Sequence, residues 1–283
     1  TFICCILLTL TKYSSITSHR TSTTDSIPSP VYCRSLMGIY YAMVQSINTK
    51  ALLTLASVCR RPYIASPHIH VPTISHVNYE SMRDSCGIKA IIFDKDNTIT
   101  APYATEVHEK AALGLRSALD VFGHDNVAVL SNSAGTKDDI DYEDALKIER
   151  EMGINVIRHD VKKPGGMDEV LRHFEGKGVQ DASQLCMVGD RLLTDVVFGS
   201  LHGMLTVHCL PLCVGAENKA DNKIASIIRT LENKSMYGNW FIPNSIRKRT
   251  LKHKYWHGEE ECPLILIQEQ IVELETKLGT SQP

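Results

Sequence analysis

The chain has 283 residues, 43% hydrophobic and 22% charged, with a formal net charge of −2. These values fit one large domain or two small ones and exclude global disorder and a collagen-like or simple repeat protein. No stretch reaches the ~18 uncharged apolar residues needed to cross a bilayer, and the near-neutral balance gives no sign of a nucleic-acid binder.

The charge is unevenly spread. Residues 1–79 hold six basic side chains (Lys12, Arg20, Arg34, Lys50, Arg60, Arg61) and one acid, Asp25, and the first 30 residues include 13 Ser or Thr. A basic, Ser-rich, acid-poor leader over 1–61 has the composition of an organelle transit peptide. Met43 is a candidate start within it. Val44, Ile47, Ala51, Leu52, Leu55 and Val58 then fall three or four apart, as on one face of an import or membrane-surface helix. Residues 62–87 begin with prolines and β-branched residues and read as an extended linker. The nine cysteines are odd in number and include no CxxC pair, so they read as reduced and structural.

From 88 onward, apolar runs alternate with helical periodicity. Ile88–Phe93 reads as a buried strand, residues 106–120 as a helix and Asn126–Leu130 as a second strand. Residues 137–152 read as a helix, Ile154–Ile157 as a strand and Gly166–Phe174 as a helix. Leu185–Val188 and Met204–Val207 complete the strands. This order predicts an α/β fold, a parallel sheet with helices on both faces, for a core domain over 88–233. In such sheets ligands sit beyond the carboxyl ends of the strands. Four polar clusters fall at those ends: Asp94–Thr98, Ser131–Ser133, Lys162–Gly166 and Gly189–Asp195.

Asp94 and Asp96 stand two apart just past a strand, where one carboxylate can act as nucleophile and the other as general acid and base. Attack on phosphorus would give an aspartyl-phosphate that water hydrolyses. Like charges this close call for a cation. Asp190 and Asp195 add oxygen ligands, a donor set that favours Mg²⁺. Ser131 and a lysine suit the equatorial phosphoryl oxygens.

The sequences DKDNT, SNS, KKP and GDRLLTD resemble motifs one to four of the haloacid dehalogenase (HAD) phosphohydrolases. More narrowly, IKAIIFDKDNTITAPY, VLSNSAGTKDD, GINVIRHDVKKPGG and MVGDRLLTDVVFGSLHG resemble the mitochondrial phosphatidylglycerophosphate phosphatases of fungi and plants. The resemblance implies a HAD-like Rossmannoid fold. Asp94 would be the nucleophile, Asp96 the acid and base, and Ser131, Asn132 and Lys163 the phosphoryl binders. Lys163 is preferred to Lys162 because it directly precedes Pro164. Asp94, the carbonyl of Asp96, Asp190 and Asp195 would hold Mg²⁺, Asp195 through water or as support. Asn stands at 97 where many of these phosphatases have Gly, and Gly199-Ser200 replaces a common Gly-Asn.

Asp96 to Ser131 and Ser131 to Lys163 are spacings already filled by the elements above, so the fold is expected to be capless. The implied activity is removal of the terminal phosphate of phosphatidylglycerophosphate on the route to cardiolipin. The implied location is peripheral, on the matrix side of the mitochondrial inner membrane, with a chloroplast as the other organelle. Two further readings are a phosphatase for soluble sugar or nucleotide monophosphates and a HAD-fold binding module without activity.

Residues 234–283 differ in character. Trp240, Phe241, Tyr255 and Trp256 flank Arg247, Lys248, Arg249, Lys252 and Lys254, a mixture suited to an anionic membrane surface. Leu264, Ile267, Ile271, Leu274 and Leu278 form a helical stripe, either packing on its own domain or supporting self-association.

Overall fold

The computed structural model describes residues 58, 60–214 and 252–279. The leader over 1–57 and most of the basic-aromatic segment, including Trp240, Phe241 and Arg247–Arg249, lie outside the described residues.

Successive side chains of a strand face opposite sides of a sheet, so a strand that is apolar at every position needs cover on both faces. Among the six described strands, β2 (Ala90–Phe93), β3 (Val127–Val129) and β5 (Leu185–Gly189) carry no polar side chain, whereas β1 (Ile69–Val71), β4 (Asn155–Val156) and β6 (Leu205–Cys209) include His70, Asn155, Thr206 and His208. They pair in parallel in the order β1-β6-β5-β2-β3-β4. Ile91 and Phe93 of β2 enter one apolar core while Ala90 and Ile92 enter another on the opposite face.

The first core takes α1 (Tyr79–Asp84), α2 (Glu109–Phe122) and α3 (Glu143–Met152) through Met82, Ala111, Leu115, Ala118 and Ile148. The second takes α4 (Met167–His173) and α5 (Val197–His202) through Val170 and Phe198. A π-helical turn, Leu192–Val196, precedes α5. The α2 boundaries follow from local chemistry. The His108 side chain accepts from the Lys110 N–H at the start, and Gly123 at φ 75° ends the helix. Asp139, buried, accepts from the N–H groups of Asp144 and Ala145 and so caps α3.

Residues 62–87, expected as a linker, instead belong to the domain. β1 adds a sixth strand at the sheet edge against β6, and Ile74, Val77, Tyr79 and Met82 are buried. Pro67 and Pro72 flank β1, where their missing N–H groups cost no ladder bond. The same proline and β-branched content that reads as a linker builds an edge strand.

The C-terminal segment also departs from expectation. Trp256 is 8% exposed in the first core, its Nε1–H donating to the Cys262 carbonyl (3.0 Å), and Leu264 is buried beside it. Asn78 N donates to the Leu264 carbonyl and Leu266 N to the His76 carbonyl, both at 2.8 Å. The expected apolar stripe is therefore split. Leu264 lies in this bridged stretch, Ile267 is exposed just ahead of the next helix, and that helix, α6 (Gln268–Gly279), turns Ile271 inward. The described cysteines, 86, 186, 209, 213 and 262, are in no disulfide, with Cys86 Sγ 3.3 Å from Cys262 Sγ. No helix among the described residues is long and apolar enough to cross a membrane.

Candidate active site

β2 delivers the first cluster. Asp94 N donates to the Val188 carbonyl of β5 (2.8 Å), which continues the sheet ladder one residue past the strand and fixes the first aspartate between β2 and β5. The chain then turns through Asn97 at φ 63°, a left-handed conformation that Asn tolerates. Asn97 also binds the loop after β6: its carbonyl accepts from Leu212 N and its side chain from Cys213 N.

β3 delivers Ser131, whose hydroxyl oxygen accepts from Ser133 N (3.2 Å). The Asn132 side chain accepts from Lys163 N at 2.9 Å and so aligns the third cluster with the second. Lys163 is fully buried; its Nζ donates to Asp94 Oδ1 and Asp195 Oδ1, each at 2.6 Å. Lys162 turns away to pair with Asp138. The two adjacent lysines are thus separated by the structure, and Lys163 is the one in the site.

β5 ends at Gly189, followed by the buried Asp190. A Cβ at Gly189 would collide with the Asp195 carboxylate, so the close approach of strand and carboxylate requires glycine there. Asp195 Oδ2 accepts from Arg191 N (3.1 Å), which holds its other oxygen for Lys163. His208 of β6 donates from Nε2 to the Asp190 carbonyl (3.0 Å), the carbonyl being able only to accept. Burial, with His70 beside it, holds the His208 ring down to about 3, so the ring is neutral in this role.

The charges interact strongly. Burial pushes the Asp94 carboxyl above its ordinary value, Lys163 pulls it back, and Asp195 pushes it up again. Burial acts to lower Lys163, but Asp195 and Asp94 outweigh it and raise the ammonium. Lys163 therefore stays charged between two carboxylates.

One oxygen from each of Asp94, Asp190 and Asp195 lies within 4.8 Å of the others. Three hard carboxylate donors converging this closely fit a divalent cation such as Mg²⁺. The Asp96 carboxylate is not part of that group. It turns towards its own loop, where Oδ1 accepts from Lys95 Nζ (2.7 Å) and Tyr103 N (2.9 Å).

Lys95 is the site-adjacent residue that sequence reasoning misses. A lysine between two aspartates reads as part of a solvated loop, yet it is 5% exposed. The available signal is its position: a long charged side chain two residues past a fully buried strand has little solvent to reach. Between Asp96 and Lys163, α2, β3, α3 and β4 with short connecting turns account for the chain, and no cap domain is inserted there.

The chain is 43% identical over 54% of its length to the chloroplastic phosphatidylglycerophosphate phosphatase 1 of Chlamydomonas reinhardtii, covering 56% of that protein. It is 41% identical over 60% of its length to the chloroplastic/mitochondrial phosphatidylglycerophosphate phosphatase 1 of Arabidopsis thaliana, covering 48% of it. The mitochondrial phosphatidylglycerophosphatase of Saccharomyces cerevisiae is 33% identical over 56% of this chain, with 81% of that protein covered. The chain thus spans about half the length of the two plant and algal relatives. No solved structure matches it. A family model described as mitochondrial PGP phosphatase matches residues 49–211, a span that starts ahead of β1 and closes just past β6. With the whole sheet and all four polar clusters inside that match, the chain belongs to the mitochondrial PGP phosphatase family.

Proposed function

We propose that this chain is a Mg²⁺-dependent phosphatase that removes the terminal phosphate of phosphatidylglycerophosphate through an aspartyl-phosphate. The observation that carries the reading is Lys163 held between Asp94 and Asp195, with Asp190 converging on the same point. A buried ammonium set against a carboxylate nucleophile suits capture of a dianionic phosphoryl group. The relatives named as phosphatidylglycerophosphate phosphatases supply the substrate class.

Asp94 attacks phosphorus as the bond to the glycerol oxygen breaks, and Asp96 donates a proton to that departing oxygen. Lys163, Ser131 and Asn132 hold the phosphoryl oxygens. Asp96, now ionised, takes a proton from water as the water oxygen bonds to phosphorus. The acyl–phosphate bond breaks and its electron pair returns to the Asp94 carboxylate. Mg²⁺, held by Asp94, Asp190 and Asp195, would neutralise phosphate charge.

The open, capless edge suits a headgroup presented at a membrane. The natural setting is the matrix side of the inner mitochondrial membrane. The basic residues of the 240–256 segment, without the buried Trp256, are the candidate contact with anionic lipid, and vesicle binding should weaken in the Arg247/Lys248/Arg249→Glu variant. The deciding assay is phosphate release from phosphatidylglycerophosphate micelles with Mg²⁺ and with EDTA, beside soluble sugar and nucleotide monophosphates. Mg²⁺-dependent release from the lipid is expected. Release from soluble phosphates alone would overturn the lipid assignment, and release from neither would overturn the phosphatase reading.

A further inference from the structure

The Asp96 carboxylate is held at one end. Its Oδ1 accepts two donors, Lys95 Nζ and Tyr103 N, both from the loop that follows β2. Lys95 is itself fixed: its Nζ donates to the Ala104 carbonyl at 2.7 Å and lies 3.5 Å from Thr100 Oγ1. The Lys95 carbonyl accepts from the N–H groups of Ile99 (3.0 Å) and Thr100 (3.1 Å), which closes the loop under the ammonium. An ammonium has three hydrogens to donate, and three oxygens surround this one. Burying an ammonium is costly unless its hydrogens are met, and here they are met by groups that also determine where Asp96 points.

We infer that Lys95 is a positioning residue: it anchors Oδ1 of Asp96 so that Oδ2 faces the reacting phosphoryl group. The assignment rests on the acid–base reading of Asp96 given above. In a fold with no inserted cap between Asp96 and Lys163, the loop of residues 95–104 supplies the fixed geometry from within the domain. The two steps need Asp96 differently. An aryl phosphate has a leaving group that departs without protonation, so enzyme phosphorylation should tolerate a displaced Asp96. Attack of water on the aspartyl-phosphate should not, because a proton must leave the water as its oxygen bonds to phosphorus.

The test compares wild type, Lys95→Met, Lys95→Arg, Asp96→Asn and Asp94→Asn with a ³²P-labelled aryl phosphate and Mg²⁺. Steady-state turnover and acid-trapped phosphoenzyme per folded molecule are measured, the folded fraction being set by thermal melts. Lys95→Met should lower kcat about 10- to 100-fold, less than the roughly 10²- to 10⁴-fold that a positioned acid–base group supplies, because Asp96 itself remains. Its phosphoenzyme fraction should rise towards that of Asp96→Asn, and Lys95→Arg should lie between Met and wild type. A merely structural role would lower activity and phosphoenzyme together, and that result would overturn the assignment, as would wild-type turnover in Lys95→Met. Full activity in Asp94→Asn would instead overturn the nucleophile reading and the inference with it.

Discussion

At the scale of single residues, the site depends on Lys163. It is fully buried with a carboxylate on either side, so the Lys163→Met variant would leave Asp94 and Asp195 facing each other uncompensated. Breaking a buried charge cluster by removing one partner destabilises by about 3–5 kcal/mol, and that loss is expected in urea denaturation at neutral pH, together with loss of turnover. Asp94→Asn should leave the melting temperature near wild type and reduce turnover by roughly 10³-fold or more, since an amide cannot form the acyl-phosphate. The positions of Asp94 and Asp190 were legible because each closes an apolar run that reads as a buried strand, and Asp195 because it lies in the same polar cluster as Asp190. The choice between Lys162 and Lys163 was not decided by spacing alone, since neighbouring residues share a loop and differ only in the direction each side chain takes. Lys95 was illegible for a related reason: hydropathy assigns a charged residue to solvent, whereas the nearby Ala104 carbonyl and Asp96 carboxylate give it internal partners.

Elements were legible where periodicity was long. α2 and α4 lie close to their expected spans, whereas α3 ends at Met152 as expected but begins at Glu143, six residues later than expected, after Asp141 and Tyr142 at positive φ. β1 escaped because three residues between prolines carry no period, and only pairing with β6 reveals them as a strand. A direct check is Val71→Asp. In a linker it would be harmless. In β1, where Val71 is wholly buried, an unpaired carboxylate is expected to destabilise by about 3 kcal/mol or more and to lower the melting temperature. The junction of α3 and β4 offers a pH test. Arg158 donates to both oxygens of Glu149, at 2.6 and 2.9 Å. Burial alone would raise the Glu149 carboxyl, but Arg158 prevails and holds it below its ordinary value. Because the folded pKa is depressed, the stabilisation is present above the unfolded carboxylate's titration and is lost as pH falls through the folded one. Arg158→Leu should therefore be less stable than wild type by about 0.5–1 kcal/mol at pH 7, with the gap closing below about pH 4.

For the molecule as a whole, the parallel α/β architecture was legible from the alternation of strands and helices, but its extent was not. The described domain begins before the region expected and recruits a distant segment near residue 260. Aromatic and basic residues mixed in 240–256 suggest a surface, yet Trp256 inserts into the first core while Lys254 stays outside with Asp181. Composition cannot show which members of such a mixture turn inward; Leu264 and Ile271, which complete the same core, decide it for Trp256. Truncating that side chain in Trp256→Ala should cost about 3–5 kcal/mol, measurable by denaturant unfolding, far more than removal of a surface aromatic.

The backbone bonds that join residues 76–78 to 264–266 have a consequence for how the chain is made. All six described strands have been synthesised once Cys209 is added, but the face awaiting Trp256 and Leu264 is not yet covered. At about 5–20 residues per second, a ribosome needs about 3–11 s more to reach Leu264. During that interval the nascent sheet keeps an apolar flank around Tyr79 and Met82 without its final cover. A chaperone should therefore be retained more strongly by a chain released just after Cys209 than by one that continues through Leu264 to the end of α6.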